Sequence, residues 1–256
     1  MPWEMAFPFV DSTRLFARRG MTGATGNWYC GLHEFEDMSF VLHMLRPSDH
    51  FLDIGANIGS YSILAAATGS SVTSIEPIPS TFSHLRANVA LNGFGENIRC
   101  HNIGLSDIDA VLRFTASMGT VNHVLGDSES GPWVEVPVRR LDTLLKGHKI
   151  PVLIKLDVEG HEFPVLRGAE RTFSDPRLLS VIMETNGSGS RYGIADAALF
   201  EYMARRGFAP FSYDPFSRTL VARGVSKGNT VFVRDREAVE RRLNEAKRFR
   251  LPNRTI

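Results

Sequence analysis

Cysteine is scarce in this chain, and the residues that occur cannot form a paired metal site. Cys30 and Cys100 lie far apart, and no C-x-x-C pair is present. This spacing excludes a zinc site built on cysteines and is typical of a protein kept in a reducing compartment.

An excess of either charge sign is also missing. Lys and Arg number 29 against 28 Asp and Glu, so the formal net charge is +1. Nothing global therefore favours nucleic acid or an anionic membrane as a partner. No run of roughly 18 apolar residues is available to span a bilayer, and the opening MPWEMAFPFVDSTR lacks the basic start and apolar run of a secretory signal. We expect a soluble, cytoplasmic protein that acts on a small molecule. Whether it forms a homo-oligomer is left open.

Internal repeats, low-complexity tracts and a long linker are absent from the 256 residues, a length that often folds as one domain. We expect a single domain over 1–256. It comprises an N-terminal lid segment at 1–46, a core at 47–233 and a C-terminal helix at 234–256.

What the chain does contain is a regular alternation of apolar strands and helical patterns. The predicted elements are strand 51–55, a helix from about Ser60, strand 71–76, helix 80–91, strand 97–104, strand 151–158, helix 162–173, strand 178–185 and helix 195–206. Short β-α-β spacing requires a parallel sheet with helices on its faces. The fold class is therefore α/β, with a mostly parallel, doubly wound sheet.

The segments outside this alternation complete the expected fold. Before it, GMTGATGN predicts a loop and EFEDMSFVLHMLR predicts a helix ended by Pro47. VLRFTA and WVEVPVR predict a hairpin-like pair, and FAPFSYDP and RTLVAR predict antiparallel strands at the end of the sheet. In the last segment, Ala238, Val239, Leu243 and Ala246 form an apolar stripe, which predicts a helix docked on the surface.

The stretch FLDIGANIGSYS places an acidic residue at the end of a strand, just before a glycine-rich turn. A dinucleotide site has G-x-G-x-x-G, whose amides bind a pyrophosphate, whereas the spacing here is G-x-N-x-G. Asp53 would repel a phosphate at close range. We therefore expect a cationic ligand, and S-adenosylmethionine fits because it carries a sulfonium and an ammonium but no phosphate. The alternative is that Gly55 and Gly59 are ordinary turn residues and Asp53 caps the next helix.

The next two strand ends extend this predicted ligand site. Glu76 lies 23 residues beyond Asp53, where an acidic side chain can bind both ribose hydroxyls, although NAD sites share that feature. Ser106 and Asp107 follow the third strand and are expected to lie against the adenine.

A second group of ionisable residues follows the most apolar strands. Asp157, Glu159 and His161 occur in IKLDVEGHE, and Glu184 ends the next strand. Methyl transfer to a hydroxyl needs a base that takes the proton during the step. We assign that role first to His161, with Glu159 or Glu184 orienting it, and we place Asp157 in the cleft. Two alternatives stay open: Glu159 and His161 cap the following helix, or the three carboxylates hold Mg²⁺.

In this order, FLDIGANIGSYS, SIEPIPSTFSHLRANVALN, NIGLSD and IKLDVEGHEFPVLRGAE resemble the FkbM-type methyltransferases, which use S-adenosylmethionine and have the Rossmann-like class I fold. The resemblance covers roughly residues 27–186. It implies a seven-stranded sheet whose last strand is antiparallel, and O-methylation of a hydroxyl. The expected cofactor contacts are Asp53, Gly55, Ala56, Asn57, Gly59, Tyr61, Glu76, Pro77, Ser106, Asp107 and Asp157.

The acceptor side is expected to combine an aromatic residue with polar groups, which suits a sugar. Its candidates are Tyr29, His33, Asn122 and His123. The resulting hypothesis is an O-methyltransferase for a small polyhydroxylated metabolite, such as a sugar or a glycosylated natural product. Alternatives are a polyketide, peptide or lipid-type hydroxyl or carboxyl acceptor, an NAD-linked oxidoreductase, which Asp53 disfavours, and a binding protein without turnover.

Overall fold

The computed structural model describes residues 4–18, 21–116, 121–126, 129–224 and 228–256. The strands are β1 (Glu4–Pro8), β2 (Arg14–Arg18), β3 (His50–Ile54), β4 (Ser71–Ile75), β5 (Ile98–His101), β6 (Gly104–Leu105), β7 (Ala110–Thr115), β8 (Trp133–Arg139), β9 (Leu153–Leu156), β10 (Ser180–Glu184), β11 (Ala209–Asp214), β12 (Thr219–Ala222) and β13 (Asn229–Val233). The helices are α1 (Thr22–Cys30), α2 (Phe35–Met44), α3 (Ser60–Ala67), α4 (Pro79–Leu91), α5 (Leu141–Leu144), α6 (Glu162–Arg167), α7 (Glu170–Ser174), α8 (Asp196–Arg205) and α9 (Arg236–Glu245), and a 3-10 turn spans Ser188–Tyr192.

The main sheet is the platform on which the rest of the chain packs. Its order is β12-β11-β13-β10-β9-β3-β4-β5, with the five strands from β10 to β5 parallel and β13 antiparallel to β10. The predicted α/β fold class, with a mostly parallel sheet, is confirmed. The expected number of seven strands is wrong, because β12 pairs with β11 as an extra antiparallel edge strand.

Alternating side chains of the strands bury the two faces of this sheet under helices. Phe51 belongs to one apolar cluster, together with Phe40 of α2 and Leu243 of α9. The neighbouring Leu52 belongs to the other cluster, together with Met203 of α8. The carboxyl ends of the parallel strands are left uncovered by this packing and form the floor of a cleft. Within the described residues, none of the helices combines the length and apolarity that a membrane crossing requires.

The N-terminal segment differs from expectation at the stretch predicted as a loop. Residues 22–30 form helix α1, although glycine and threonine are poor helix formers. Asn27 explains the difference: its side chain is 1% exposed, and its amide nitrogen donates to Ser60 Oγ at 3.1 Å. Its Oδ1 accepts the backbone amide of His33 at 2.8 Å. Tertiary contacts therefore fix a helix that local propensity does not favour.

Two predicted elements are interrupted where the backbone packs closely against another segment. The predicted strand 97–104 divides into β5 and β6, and β6 pairs with β8 in a separate three-stranded sheet. The predicted helix 162–173 divides into α6 and α7 around Gly168. A Cβ at Gly168 would lie 2.1 Å from the carbonyl oxygen of Ser106. Only glycine allows this approach, which holds residue 106 beside the junction of α6 and α7.

The C-terminal helix α9 docks through the buried part of its predicted apolar stripe. The predicted extent of 234–256 is wrong, because the helix ends at Glu245, Ala246 is extended and Arg250 pairs with Thr255 in a β-bridge. Val239 and Leu243 are fully buried and join the apolar cluster that contains Phe40 of α2. Arg242 reaches back to the core and donates to Asp49 Oδ2 at 2.6 Å. The basic residue thus contributes to packing within the chain.

Leu243→Ala should lower the free energy of unfolding by about 2–4 kcal/mol, because it removes buried methyl groups and leaves a cavity. Urea denaturation of the purified protein measures the change. Arg241→Ala, on the exposed side of the same helix, is the matched control and should change stability by less than about 0.5 kcal/mol. Equal losses for both variants would contradict the docking of α9 through its apolar stripe.

Candidate active site

The turn between β3 and α3 is shaped by its contact with the end of β9. Gly55 has a φ of 77°, and a Cβ at this position would lie 1.8 Å from the Asp157 carbonyl oxygen. The amides of Gly55 and Ala56 both donate to the Ile75 carbonyl, at 3.0 and 2.9 Å. The Asn57 amide donates to Glu76 Oε2 at 2.9 Å. The amides of residues 55–57 therefore already have acceptors within the chain and are not available to a phosphate.

Asp53 is placed differently from the expectation that its carboxylate meets the ligand. The side chain is 1% exposed and lies behind the cleft, where Ser62 Oγ donates to its Oδ2 at 2.5 Å. Burial raises the pKa of Asp53 to about 6. We correct the expectation accordingly: Asp53 supports the turn from beneath, because Ser62, one helical turn into α3, binds it there.

Glu76 is the acidic residue that faces the cleft at the end of β4. Its Oε1 accepts the Ile78 amide at 2.9 Å, while its Oε2 accepts the Asn57 amide. Burial raises the pKa of Glu76 to about 7. Two fixed amides therefore hold the carboxylate in one orientation, with further lone pairs free to accept hydrogen bonds from a ligand.

A cavity of about 490 Å³ lies above these strand ends. Seven of the predicted cofactor contacts line it, namely Gly55, Ala56, Asn57, Tyr61, Glu76, Pro77 and Asp157. The wall also includes four further residues predicted for the base or acceptor side, namely Glu159, His161, His33 and Asn122. Gly59 lies outside the wall; it has a φ of 89°, and a Cβ there would lie 2.5 Å from Leu85 Cδ1.

Three carboxylates meet beside the cavity at the ends of β9 and β10. Asp157, Glu159 and Glu184 each place one oxygen within 4.8 Å of the others. Burial, followed by repulsion from Asp157, raises the pKa of Glu159 to about 7 and that of Glu184 to about 9. One oxygen of Glu184 is buried and has no hydrogen-bond partner among the described residues. The cluster can share protons, attract a cation or hold a divalent metal.

Lys155 supplies the positive charge beneath this cluster. Its Nζ donates to Asp157 Oδ2 at 2.7 Å and lies 4.9 Å from the centre of the Tyr61 ring. Burial acts to lower the pKa of Lys155, but the charges of Asp157 and Glu34 outweigh burial and raise it. The sequence offered one signal for this pair, because a lysine inside the apolar strand PVLIKLDV requires a buried partner.

His161 lies in the cavity wall but is held from behind. Its Nε2 is 3.2 Å from Ser106 Oγ, and its Nδ1 is buried with no partner among the residues described. Burial lowers the pKa of His161 to about 4. The side chain makes no capping hydrogen bond to α6. Glu162 binds the preceding turn, since its Oε1 accepts the amides of Val158 and Gly160 at 3.1 and 3.2 Å.

Ser106 and Asp107 are therefore neighbours of His161 and do not line the cavity. Ser106 Oγ also donates to Asp107 Oδ1 at 3.3 Å. Their predicted position against an adenine is corrected on this geometry. Gly104 and Leu105, the preceding two residues, form that part of the wall.

Of the four residues predicted to contact the acceptor, two line the cavity and two do not. His33 and Asn122 lie in the wall, whereas Tyr29 is 74% exposed and outside it. His123 is buried, and its Nε2 pairs with Glu129 at 3.0 Å. Tyr29 and His123 thus lie outside the wall, and their role in acceptor binding stays a prediction.

Two residues of the N-terminal segment, Asn27 and Glu34, also line the cavity, and only Asn27 was not predicted to do so. Asn27 has no local signal in the sequence, because only the folded chain brings it to Ser60. Glu34 accepts from Tyr61 OH at 2.8 Å and from Asn229 Nδ2 at 2.8 Å, which ties the segment before α2 to the cleft. Asn27, His33 and Glu34 thus form one side of the cavity wall, which we call the roof.

The ligand-free protein should become less stable as the pH rises from about 6.5 to 9. Glu76, Glu159, Glu162 and Glu184 have folded pKa values of about 7 to 9. A carboxyl group whose pKa is higher in the folded than in the unfolded protein contributes stability that is fully present below its unfolded pKa, near 4.5. This stability is lost as the pH rises through its folded pKa. His43 and His161, lowered to about 4, act in the opposite direction, but only below about pH 6.5.

Glu184→Gln should raise the free energy of unfolding at pH 8 by on the order of 1–2 kcal/mol and reduce this pH dependence. Chemical denaturation between pH 6.5 and 9 measures both effects. Glu201→Gln, in an exposed ion pair with Arg205, is the control. If the Glu184 variant lost stability at every pH, the claim that repulsion within the three-carboxylate cluster destabilises the protein would be contradicted.

Comparison with known proteins places the chain in a family. The FkbM methyltransferase domain matches residues 53–210. The chain is 28% identical over 207 residues to 31-O-demethyl-FK506 methyltransferase FkbM of Streptomyces tacrolimicus, covering 66% of this chain and 76% of that protein. It is 29% identical over 137 residues to the hexuronic acid methyltransferase AglP of Haloferax volcanii, covering 53% and 56%.

A further relative is Methyltransferase 1 of Beauveria bassiana, 29% identical over 150 residues, with 48% of this chain and 60% of that protein covered. The matched regions thus span between about half and three quarters of these relatives' lengths. A solved TehB-like S-adenosylmethionine-dependent methyltransferase from Corynebacterium glutamicum is 13% identical, with a TM-score of 0.46 and coverage of 82% and 94%. Since the family domain matches well over half of the chain, the protein belongs to the FkbM methyltransferase family.

Proposed function

We propose that this protein transfers a methyl group from S-adenosylmethionine to a hydroxyl of a small polyhydroxylated metabolite, such as a sugar or a glycosylated natural product. The observation that carries the proposal is the charge of the cavity. The amides of residues 55–57 are already bonded within the chain. Four carboxylates line the wall, namely Glu34, Glu76, Asp157 and Glu159, against two cations, Lys155 and Arg18.

This charge selects the methyl donor over a phosphate-bearing cofactor. Two unit charges at 4 Å interact by about 4 kcal/mol at an effective dielectric constant near 20, so the carboxylates favour a sulfonium and disfavour a pyrophosphate by similar amounts. Glu76, fixed by two amides, is suited to bind the ribose hydroxyls. S-adenosylmethionine supplies an activated methyl group, and the protein supplies orientation and a base.

Glu159 is the best candidate for the base. Its pKa of about 7 keeps a large fraction of the carboxylate ionised at neutral pH while leaving it basic enough to accept a proton. His161, our first choice from the sequence, has a pKa of about 4 and a buried Nδ1, so it is a weaker base with less access. Asp157, held by Lys155, then stays beside the reacting groups as a fixed negative charge.

The same wall favours a neutral acceptor. Carboxylates accept hydrogen bonds from sugar hydroxyls, whereas an acceptor carboxylate would meet the repulsion of Asp157 and Glu159. Of the acceptors named for the relatives, a hydroxyl like that of 31-O-demethyl-FK506 fits this environment better than an ionised hexuronic acid. His33 and Asn122 supply further polar contacts in the wall.

Calorimetric titration should detect binding of S-adenosylhomocysteine and none of NAD. Glu76→Gln should weaken S-adenosylhomocysteine binding about ten- to hundredfold, because a charge-assisted hydrogen bond to ribose is lost. Glu96→Gln, on the exposed surface after α4, is the control. Tight NAD binding with no response to S-adenosylhomocysteine would refute the assigned cofactor.

Glu159→Gln should reduce kcat by a factor of about 10²–10⁴ without weakening S-adenosylhomocysteine binding, since only proton removal is lost. The acceptor for this assay is found by mass spectrometry, with methyl-labelled cofactor and a panel of neutral sugars and uronic acids. In the unaltered enzyme kcat/KM should rise with pH through about 7 and then level off, because the deprotonated carboxylate is the active form.

Two outcomes would contradict this assignment. One is an unchanged kcat in Glu159→Gln together with a large loss in His161→Asn, which would return the role of base to His161. The other is labelling of uronic acids alone, at their carboxyl group, which would overturn the proposed hydroxyl acceptor.

A further inference from the structure

Arg191, in the 3-10 turn after β10, contacts two separate parts of the cleft. Its Nη1 donates to the Glu159 carbonyl oxygen at 2.9 Å. Its Nε lies 3.4 Å from Glu129 Oε1. Arg191 does not line the cavity, so it acts through the groups it binds.

The first of these contacts fixes a strained turn. Glu159 has a φ of 55°, a left-handed conformation that is unfavourable for a residue with a side chain. Gly160, with a φ of 103°, packs directly on the 3-10 turn, since a Cβ there would lie 2.6 Å from the Ser188 carbonyl oxygen. The hydrogen bond from Arg191 and this close packing together hold the backbone that aims the Glu159 carboxylate into the cavity.

The second contact fixes the segment 121–126, which carries Asn122 into the cavity wall. Glu129 accepts the Gly126 amide at 2.8 Å and pairs with His123 at 3.0 Å. Tyr192, next to Arg191, donates from its hydroxyl to the Val124 carbonyl oxygen. The 3-10 turn therefore holds the acceptor side of the wall as well as the turn that carries Glu159.

We propose that Arg191 is a positioning residue, which joins the acceptor segment 121–126 to the turn that carries Glu159 so that acceptor contact and proton removal are aligned together. The catalytic part of this inference rests on the proposed function, and the structural part does not.

An arginine suits this position because its Nη1 can donate to the Glu159 carbonyl oxygen while its Nε, in the same rigid plane, faces the Glu129 carboxylate in an ion pair. A lysine has a single ammonium and can satisfy one of the two acceptors well. Arg191 also adds a positive charge near Glu159, whose other charged neighbours are Asp157, Glu184, His123 and Lys155. Removal of Arg191 should therefore both loosen the segment and raise the pKa of Glu159.

The test compares Arg191→Gln, Arg191→Lys and Glu129→Gln in the full chain. Hydrogen exchange should accelerate about tenfold at the amides of residues 123–126 in Arg191→Gln and stay unchanged in β3 and β9. In protein labelled with ¹³C at the glutamate carboxyl carbons, the Glu159 resonance, assigned by its absence in Glu159→Gln, should titrate at a higher pH. Arg191→Lys should restore part of both effects.

With the acceptor found in the sugar panel, Arg191→Gln should lower kcat about ten- to hundredfold with little change in S-adenosylhomocysteine affinity. The double variant with Glu129→Gln should lose less than the product of the two single losses, because both act through one contact. Arg177→Gln, which removes an exposed pair with Asp175, is the matched control and should behave like the unaltered protein.

Unchanged exchange in residues 123–126 and an unchanged Glu159 titration in Arg191→Gln would overturn the positioning role. Glu129→Gln provides the same test from the other side if the arginine variants do not fold. Failure to bind S-adenosylhomocysteine in the unaltered protein would reject the proposed cofactor, while exchange and titration would still decide the role of Arg191.

Discussion

The ion pair between Lys155 and Asp157 is the interaction on which the cleft depends. It lies at the end of β9, and the acidic residues of three neighbouring segments surround it. Breaking a buried pair costs several kcal/mol, because the remaining charge has no water to solvate it. Lys155 therefore allows the chain to keep carboxylates close together that would otherwise have to take up protons. The cavity can therefore keep several ionised carboxylates because this one lysine balances part of their charge.

The cleft separates its polar groups into those that bind one another and those left for a ligand. The amides of the turn after β3 and the carboxylate of Asp53 are satisfied within the chain, so they define shape. Glu159 and Glu184 are poorly satisfied, and burial raises their pKa values. A protein gives up stability when it keeps such groups, which is typical of sites that bind and react. In the proposed function, the recognition of a cationic donor and the activation of a hydroxyl would both draw on this destabilised cluster.

The sequence predicted the elements and strand ends that depend on local pattern, and it failed where distant contacts decide. Apolar periodicity was enough to place Glu76 and Asp157 at the mouth of a parallel sheet. The direction of the Asp53 side chain depends on its hydrogen bond with Ser62, and the position of Ser106 depends on the close approach at Gly168. Neither contact can be read from a local sequence pattern. Helix α1 was missed because its residues are poor helix formers that the fold holds in place through Asn27. The role of Arg191 was equally invisible, since its acceptors come from two other segments.

The contact at Gly55 has a consequence for changing the specificity of this enzyme. Since a Cβ at Gly55 would lie 1.8 Å from the Asp157 carbonyl oxygen, the turn after β3 and the end of β9 form one wall with no spare space between them. In the proposed function this wall borders both the donor and the acceptor. A bulkier residue on either side of that wall would push on both ligands at once. Redesign for a new acceptor is therefore better directed at the roof and at the segment carrying Asn122, which border the cavity from elements outside the sheet.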